Sequence, residues 1–179
     1  MLEKTALVFQ SLFAPRKTYQ RIKAKPELDA SLLLAVLLGI SLVFSRLINP
    51  ELKVLLKILL LAGSIILTVI SLILFAYLIN TVSNFFKKGD VSNSLRLAIP
   101  YAFLPSIIVN FLWFAVPIQL YLFVQLGATL WFLILLSTLV SELKKLDFVR
   151  SFLSVFAASV ILSLPVIAYQ IGLPLMAKD

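Results

Sequence analysis

Residues 95–117 read LRLAIPYAFLPSIIVNFLWFAVP, and the reading of this stretch decides the fold. It is apolar enough to cross a bilayer, yet Pro100 and Pro105 sit inside it. Each proline removes a backbone donor and crowds the carbonyl four residues back, at Arg96 and Tyr101. In hydrocarbon those freed carbonyls need partners within the protein, from neighbouring helices or ordered water. The stretch therefore reads as a bent helix at the centre of a bundle. Pro100 and Pro105 are its structural breaks. Tyr101 and Asn110 are the polar side chains beside them around which a site could form.

The rest of the chain supports the bilayer reading. Of 179 residues, 61% are hydrophobic and 13% charged, and the mean hydropathy is +1.08. Soluble domains carry about 45–50% apolar and about 25% charged residues. The excess lies in five runs, at 30–48, 58–79, 95–116, 118–140 and 149–171. Each is near or above the roughly 20 residues needed to span a bilayer. Alternation at period two is absent, so the expected fold is all-α, a bundle of five transmembrane helices rather than a barrel. Residues 1–25 form a basic amphipathic arm ahead of a single membrane domain at 26–179. The first residues lack both a continuous apolar core and a small-residue cleavage site, so no cleavable signal peptide is expected.

Composition also removes most chemistry. Cysteine and histidine are absent, which excludes disulfides, thiol nucleophiles, imidazole bases and Cys/His metal sites. No P-loop, dinucleotide-binding glycine pattern or metalloprotease motif occurs. Arg46, Lys57, Arg96, Glu142 and Arg150 lie near span ends, where long side chains reach the interface, and no acid stands at mid-depth for proton coupling. No catalytic residue, cofactor or metal is expected.

The arm holds Lys4, Arg16, Lys17, Arg21, Lys23 and Lys25 against one acid, Glu3. Pro15 suits the first turn of a short helix on which Tyr19 and Ile22 share a face. Arg16, Lys17, Arg21, Lys23 and Lys25 then point to anionic lipid headgroups, each contributing about 1 kcal/mol near such a surface. Nucleic acid is not the expected partner of the net charge of +8, because the basic residues gather at membrane edges.

Asn49-Pro50 marks a turn, making spans one and two a hairpin in which Ala35 and Gly39 allow close approach. The second helix, over 52–86, outruns the membrane, and its Ile79, Val82 and Phe86 should pack on the N-terminal helices. Gly89 suits a helix stop, and Asp90 or Ser92 the next cap. Trp131, near mid-depth in span four, should find a partner inside the bundle. Residues 141–148 read as a polar loop. The polar residues within the spans, such as Thr68, Asn80, Gln125, Thr129 and Ser137, should hydrogen-bond between helices.

Lysine and arginine set the orientation. With the N-terminus cytoplasmic, twelve of the sixteen fall inside; Arg46, Lys53, Lys57 and Lys178 fall outside. The expected topology is N-inside, C-outside.

Two groups of residues carry a family resemblance. Leu12-Phe13-Ala14-Pro15 is followed by Tyr19 and Ile22 ahead of span one. Gly89-Asp90 is followed by Leu95 and by Ala98 to Pro105, with a Tyr-Ala pair and a proline four residues beyond the tyrosine. Together with five spans and a long second helix, these resemble the Yip-type domain family, related to the Rab-interacting Yip proteins of eukaryotes. The chain is similar to the compact bacterial and archaeal members, which implies the cell membrane of a prokaryote. The resemblance implies a polytopic scaffold or trafficking-type protein without a catalytic centre. Another class stays open: a small transporter or channel subunit using the doubly prolyl span, since discontinuous helices frame substrate sites.

Overall fold

The structure is a computed structural model. It describes residues 10–24 and 28–176, and the side chains of these except 23, 114, 118 and 165–176. The helices are α1 (Pro15–Ala24), α2 (Leu28–Leu47), α3 (Val54–Ser83), α4 (Ser92–Ala102), α5 (Leu104–Leu112), α6 (Ile118–Lys144) and α7 (Phe148–Met176). No strand occurs among the described residues. Leu28–Leu47, Val54–Ser83, Ser92–Leu112 and Gln119–Lys144 are each long and apolar enough to cross a membrane, and the shorter apolar Phe148–Leu164 opens α7. The protein is an all-α, multi-pass integral membrane protein.

The third span takes its shape from its prolines. It divides at Phe103 into α4 and α5, with Pro105 in the first turn of α5. The Phe103 N–H turns back to the Pro100 carbonyl at 3.3 Å, and the Ile107 N–H opens α5 on the Phe103 carbonyl at 3.0 Å. The helix runs through Pro100, so Pro105 makes the break. Half of this span's most apolar stretch is buried, against 17–39% in the other three. Leu95, Ile99, Tyr101 and Ala102 are wholly enclosed, and α4 packs on α1, α2, α3 and α6.

Two expectations about α3 and its neighbours change. At about 1.5 Å per residue the 30 residues of α3 cover about 45 Å, longer than a hydrocarbon core. The helix nevertheless ends at Ser83, and 84–87 form a turn closed by Asn84 and Lys87 amides on the Asn80 and Ser83 carbonyls. The buried stripe of its last turns is Ala76, Ile79, Asn80 and Ser83, at helical spacing. Phe86 lies beyond that stripe and stays 40% exposed, and α1 packs on α6 and α4 instead. Gly89 is not the helix stop. It sits in the following loop at φ +147°, a backbone state that L side chains avoid.

At the other connection, α6 runs on to Lys144 where a loop over 141–148 was expected. Lys145 closes it in the left-handed conformation (φ 52°), the Leu146 amide returns to the Ser141 carbonyl, and the Ser141 hydroxyl donates to the Leu146 carbonyl. Asp147 then accepts the Arg150 N–H at 2.9 Å and caps α7. Trp131 departs from expectation as well. Its ring is 44% exposed and faces outward beside Phe13 and Pro105. Hydroxyls likewise turn inward on their own helices: Thr129 donates to the Gln125 carbonyl and Ser137 to the Leu133 carbonyl.

The backbones of α2 and α3 approach closely at Gly39. A Cβ on Gly39 would stand 2.8 Å from the Ile65 Cα, whereas one on Gly63 would meet nothing within 4 Å. Gly39→Ala must therefore push the hairpin apart and should cost about 1–3 kcal/mol, as overpacking does. Gly63→Ala should be neutral or gain up to about 1 kcal/mol from helix propensity. Thermal unfolding in detergent checks both, and equal midpoints for the two variants would contradict the close approach.

Candidate functional site

The α1 arm, the 84–91 loop, the end of α6 and the start of α7 meet at one end of the bundle, which brings most of the basic residues together. Lys144 ties this end. It stands in no motif, yet it is only 4% exposed. Its ammonium donates to Asn84 Oδ1 at 2.5 Å and the Gly89 carbonyl at 2.8 Å, with the Asn80 and Lys87 carbonyls at 3.3 and 3.4 Å. An ammonium has three N–H donors, so four oxygens around it solvate the charge as water would. The cation from α6 also stands where α3 ends, against the negative pole of that helix.

Asn80 completes the knot. Its amide donates to Asp90 at 3.1 Å, and its carbonyl oxygen accepts the Val91 N–H at 3.2 Å. Asp90 in turn accepts the Ser92 N–H at 2.9 Å and fixes the turn ahead of α4, while Val91 stands at the N-cap position where Asp90 or Ser92 was expected. The Ser92 amide, above all, holds the exposed Asp90 carboxyl below the usual carboxylate range, with Lys144 and Arg96 adding to it.

The arm sits on this end with its apolar face spent on protein. Thr18, Tyr19 and Ile22 are buried, and burial pushes the Tyr19 phenol above its ordinary pKa. Arg16, Lys17, Gln20 and Arg21 face outward. Arg16 Nε lies 3.3 Å from Glu142, which also accepts from the Gln20 amide at 3.2 Å. Such an exposed ion pair contributes about 0–1 kcal/mol, so the buried Tyr19 and Ile22 fix the arm. Lys23 lies in α1, and Lys25 lies outside the described residues.

The polar pair expected beside the prolines is separated. Tyr101 is enclosed in the core. Asn110 instead donates to the Ser41 hydroxyl at 3.3 Å and lines two cavities, of 480 and 390 Å³. Thr68, Ser106 and Gln125 join it in the first, Ser45, Trp113 and Tyr121 in the second. The Gln125 side-chain oxygen is buried there without a hydrogen-bond partner among the described residues. These groups are neutral donors and acceptors, suited to an uncharged polar ligand rather than an ion.

Sequence periodicity contains the signal for Lys144. Ser137, Val140 and Lys144 fall at i, i+3 and i+7 on one helix face, and the first two are fully buried. Lys145, one step on, is exposed.

A family model described as the Yip1 domain matches residues 9–169. The chain belongs to the Yip1 domain family. The match begins within the arm, takes in the knot and the broken third span, and ends within α7. No curated protein and no solved structure matches the chain.

The bond from the Ser92 N–H to Asp90 gives this Yip1 domain a pH dependence. A carboxyl lowered in the folded state stabilises it fully at neutral pH, and the contribution is lost as pH falls through the folded value, below the ordinary value of about 4. Hydrogen exchange at 84–92 should therefore be faster in Asp90→Asn than in the wild type at pH 7. The two should converge as the conditioning pH is lowered through the folded carboxyl's own value, below the ordinary one. A constant difference across that range would contradict the assignment.

Proposed function

We propose that this Yip1 domain is a non-catalytic membrane scaffold whose basic end engages anionic lipid headgroups from the cytoplasmic face of a prokaryotic cell membrane. The observation that carries the reading is the arm itself. Its apolar side is committed to the bundle, which leaves Lys17 and Arg21, four residues apart, displayed together on its outer side. The charge distribution over the loops supports the orientation, because basic residues concentrate on cytoplasmic segments. The resemblance to compact prokaryotic members supports the choice of membrane.

A photoreactive residue in place of Lys17 or Arg21, in vesicles of mixed anionic and zwitterionic lipid, tests the reading. Anionic lipid adducts should exceed zwitterionic ones severalfold at low salt and fall toward parity at high salt. Parity at low salt would contradict it.

The Asn110 cleft favours a second reading, a small transporter for an uncharged polar solute. Solute flux into proteoliposomes that Asn110→Leu abolishes would support transport. Flux no greater than in empty vesicles would leave the scaffold.

A further inference from the structure

A third cavity, of 380 Å³, opens between α2, α3 and α4 at the basic end. Its floor is the buried Ser31, Ala35, Leu72 and Pro100, and its rim includes the exposed Leu28 and Leu32. From Leu28 to Ala35 it runs about 10 Å along α2, down from the membrane surface at 1.5 Å per residue. Arg96 and Asn93 stand in its lining at the mouth. Its volume lies within the roughly 300–1,000 Å³ of small-ligand sites.

Arg96 is held in place for a ligand at this mouth. Its guanidinium donates to Asn93 Oδ1 and lies 5.3 Å over the ring of the half-exposed Tyr77 on α3. It forms no ion pair among the described residues. The nearby Asp90 carboxylate is engaged by Asn80 and the Ser92 amide. A guanidinium offers five N–H donors in a planar fork that fits a phosphate. An apolar cleft that opens to the bilayer is filled by an acyl chain, and the arginine at its mouth selects the headgroup.

We propose that this crevice is a binding site for one anionic phospholipid, with an acyl chain over the Ser31–Ala35 floor and its phosphate on Arg96. Ser31 supplies a hydroxyl at the depth of the lipid's ester groups. The site lies within the bundle and is independent of the lipid surface assigned to the arm. Its occupant would brace α4 against the α2–α3 hairpin.

The test is native mass spectrometry of the full chain in micelles holding equal phosphatidylglycerol and phosphatidylcholine. The wild type should retain one phosphatidylglycerol at least fivefold over phosphatidylcholine. Arg96→Gln should reduce that ratio below twofold, and Ser31→Phe, which fills the floor, should remove the retained lipid. A control variant with Lys53→Gln and Lys57→Gln, at the far end of α3 from the crevice mouth, should keep the wild-type ratio. Equal retention of both lipids by the wild type would overturn the site. A preference that survives Arg96→Gln would also overturn it, and would trace the selectivity to the arm instead.

Discussion

One buried ammonium organises the basic end of this bundle. Lys144 reaches from the last turn of α6 to oxygens of α3 and of the loop that follows it. A cation enclosed this far from water is costly unless its donors are met, and here neutral oxygens meet them. The Lys87 and Gly89 carbonyls, in the loop after α3, gain the ammonium as a donor. Asn80 and Asp90 extend the arrangement to the first turn of α4. The entry of the third span is thereby fixed relative to the exits of the second and fourth.

That fixed entry matters because the third span is the weakest as a helix. Pro105 breaks it at Phe103, and only a span enclosed by neighbours can carry such a break through hydrocarbon. Two lateral cavities open beside its two halves, one lined by Pro100 of α4 and the other by Ser106 and Asn110 of α5. One, at the basic end, has Arg96 at its mouth. The other, around Asn110, carries neutral amides and hydroxyls. The close contact of α2 and α3 at Gly39 provides the rigid wall against which both open.

Much of this was legible in the sequence. Apolar run length gave the spans, and the prolines gave the bend and its central position. Small residues at 35 and 39 gave the hairpin contact, and the Yip-type resemblance rested on motifs within the matched region. What escaped was decided by helix phase and by distant partners. Phe86 falls in the turn that follows once α3 has ended at Ser83. Trp131 is large and apolar, but in lipid an outward apolar ring carries no penalty, so hydrophobicity does not say which way it faces. Tyr101 and Asn110 are near in sequence yet lie on opposite sides of the Phe103 break. Lys144 looks like any lysine at a span end, because its acceptors come from residues some sixty positions earlier.

The most direct measurement is the distance distribution between spin labels placed at Arg21 and Lys88, accessible because the chain has no cysteine of its own. In the wild type one narrow distance is expected, with the arm and the loop held to the same end of α6. Lys144→Met, which removes the cation but keeps the bulk, should broaden that distribution, while Lys145→Met should leave it narrow. An unchanged narrow distribution in Lys144→Met would show that the basic end is held by something other than the buried ammonium.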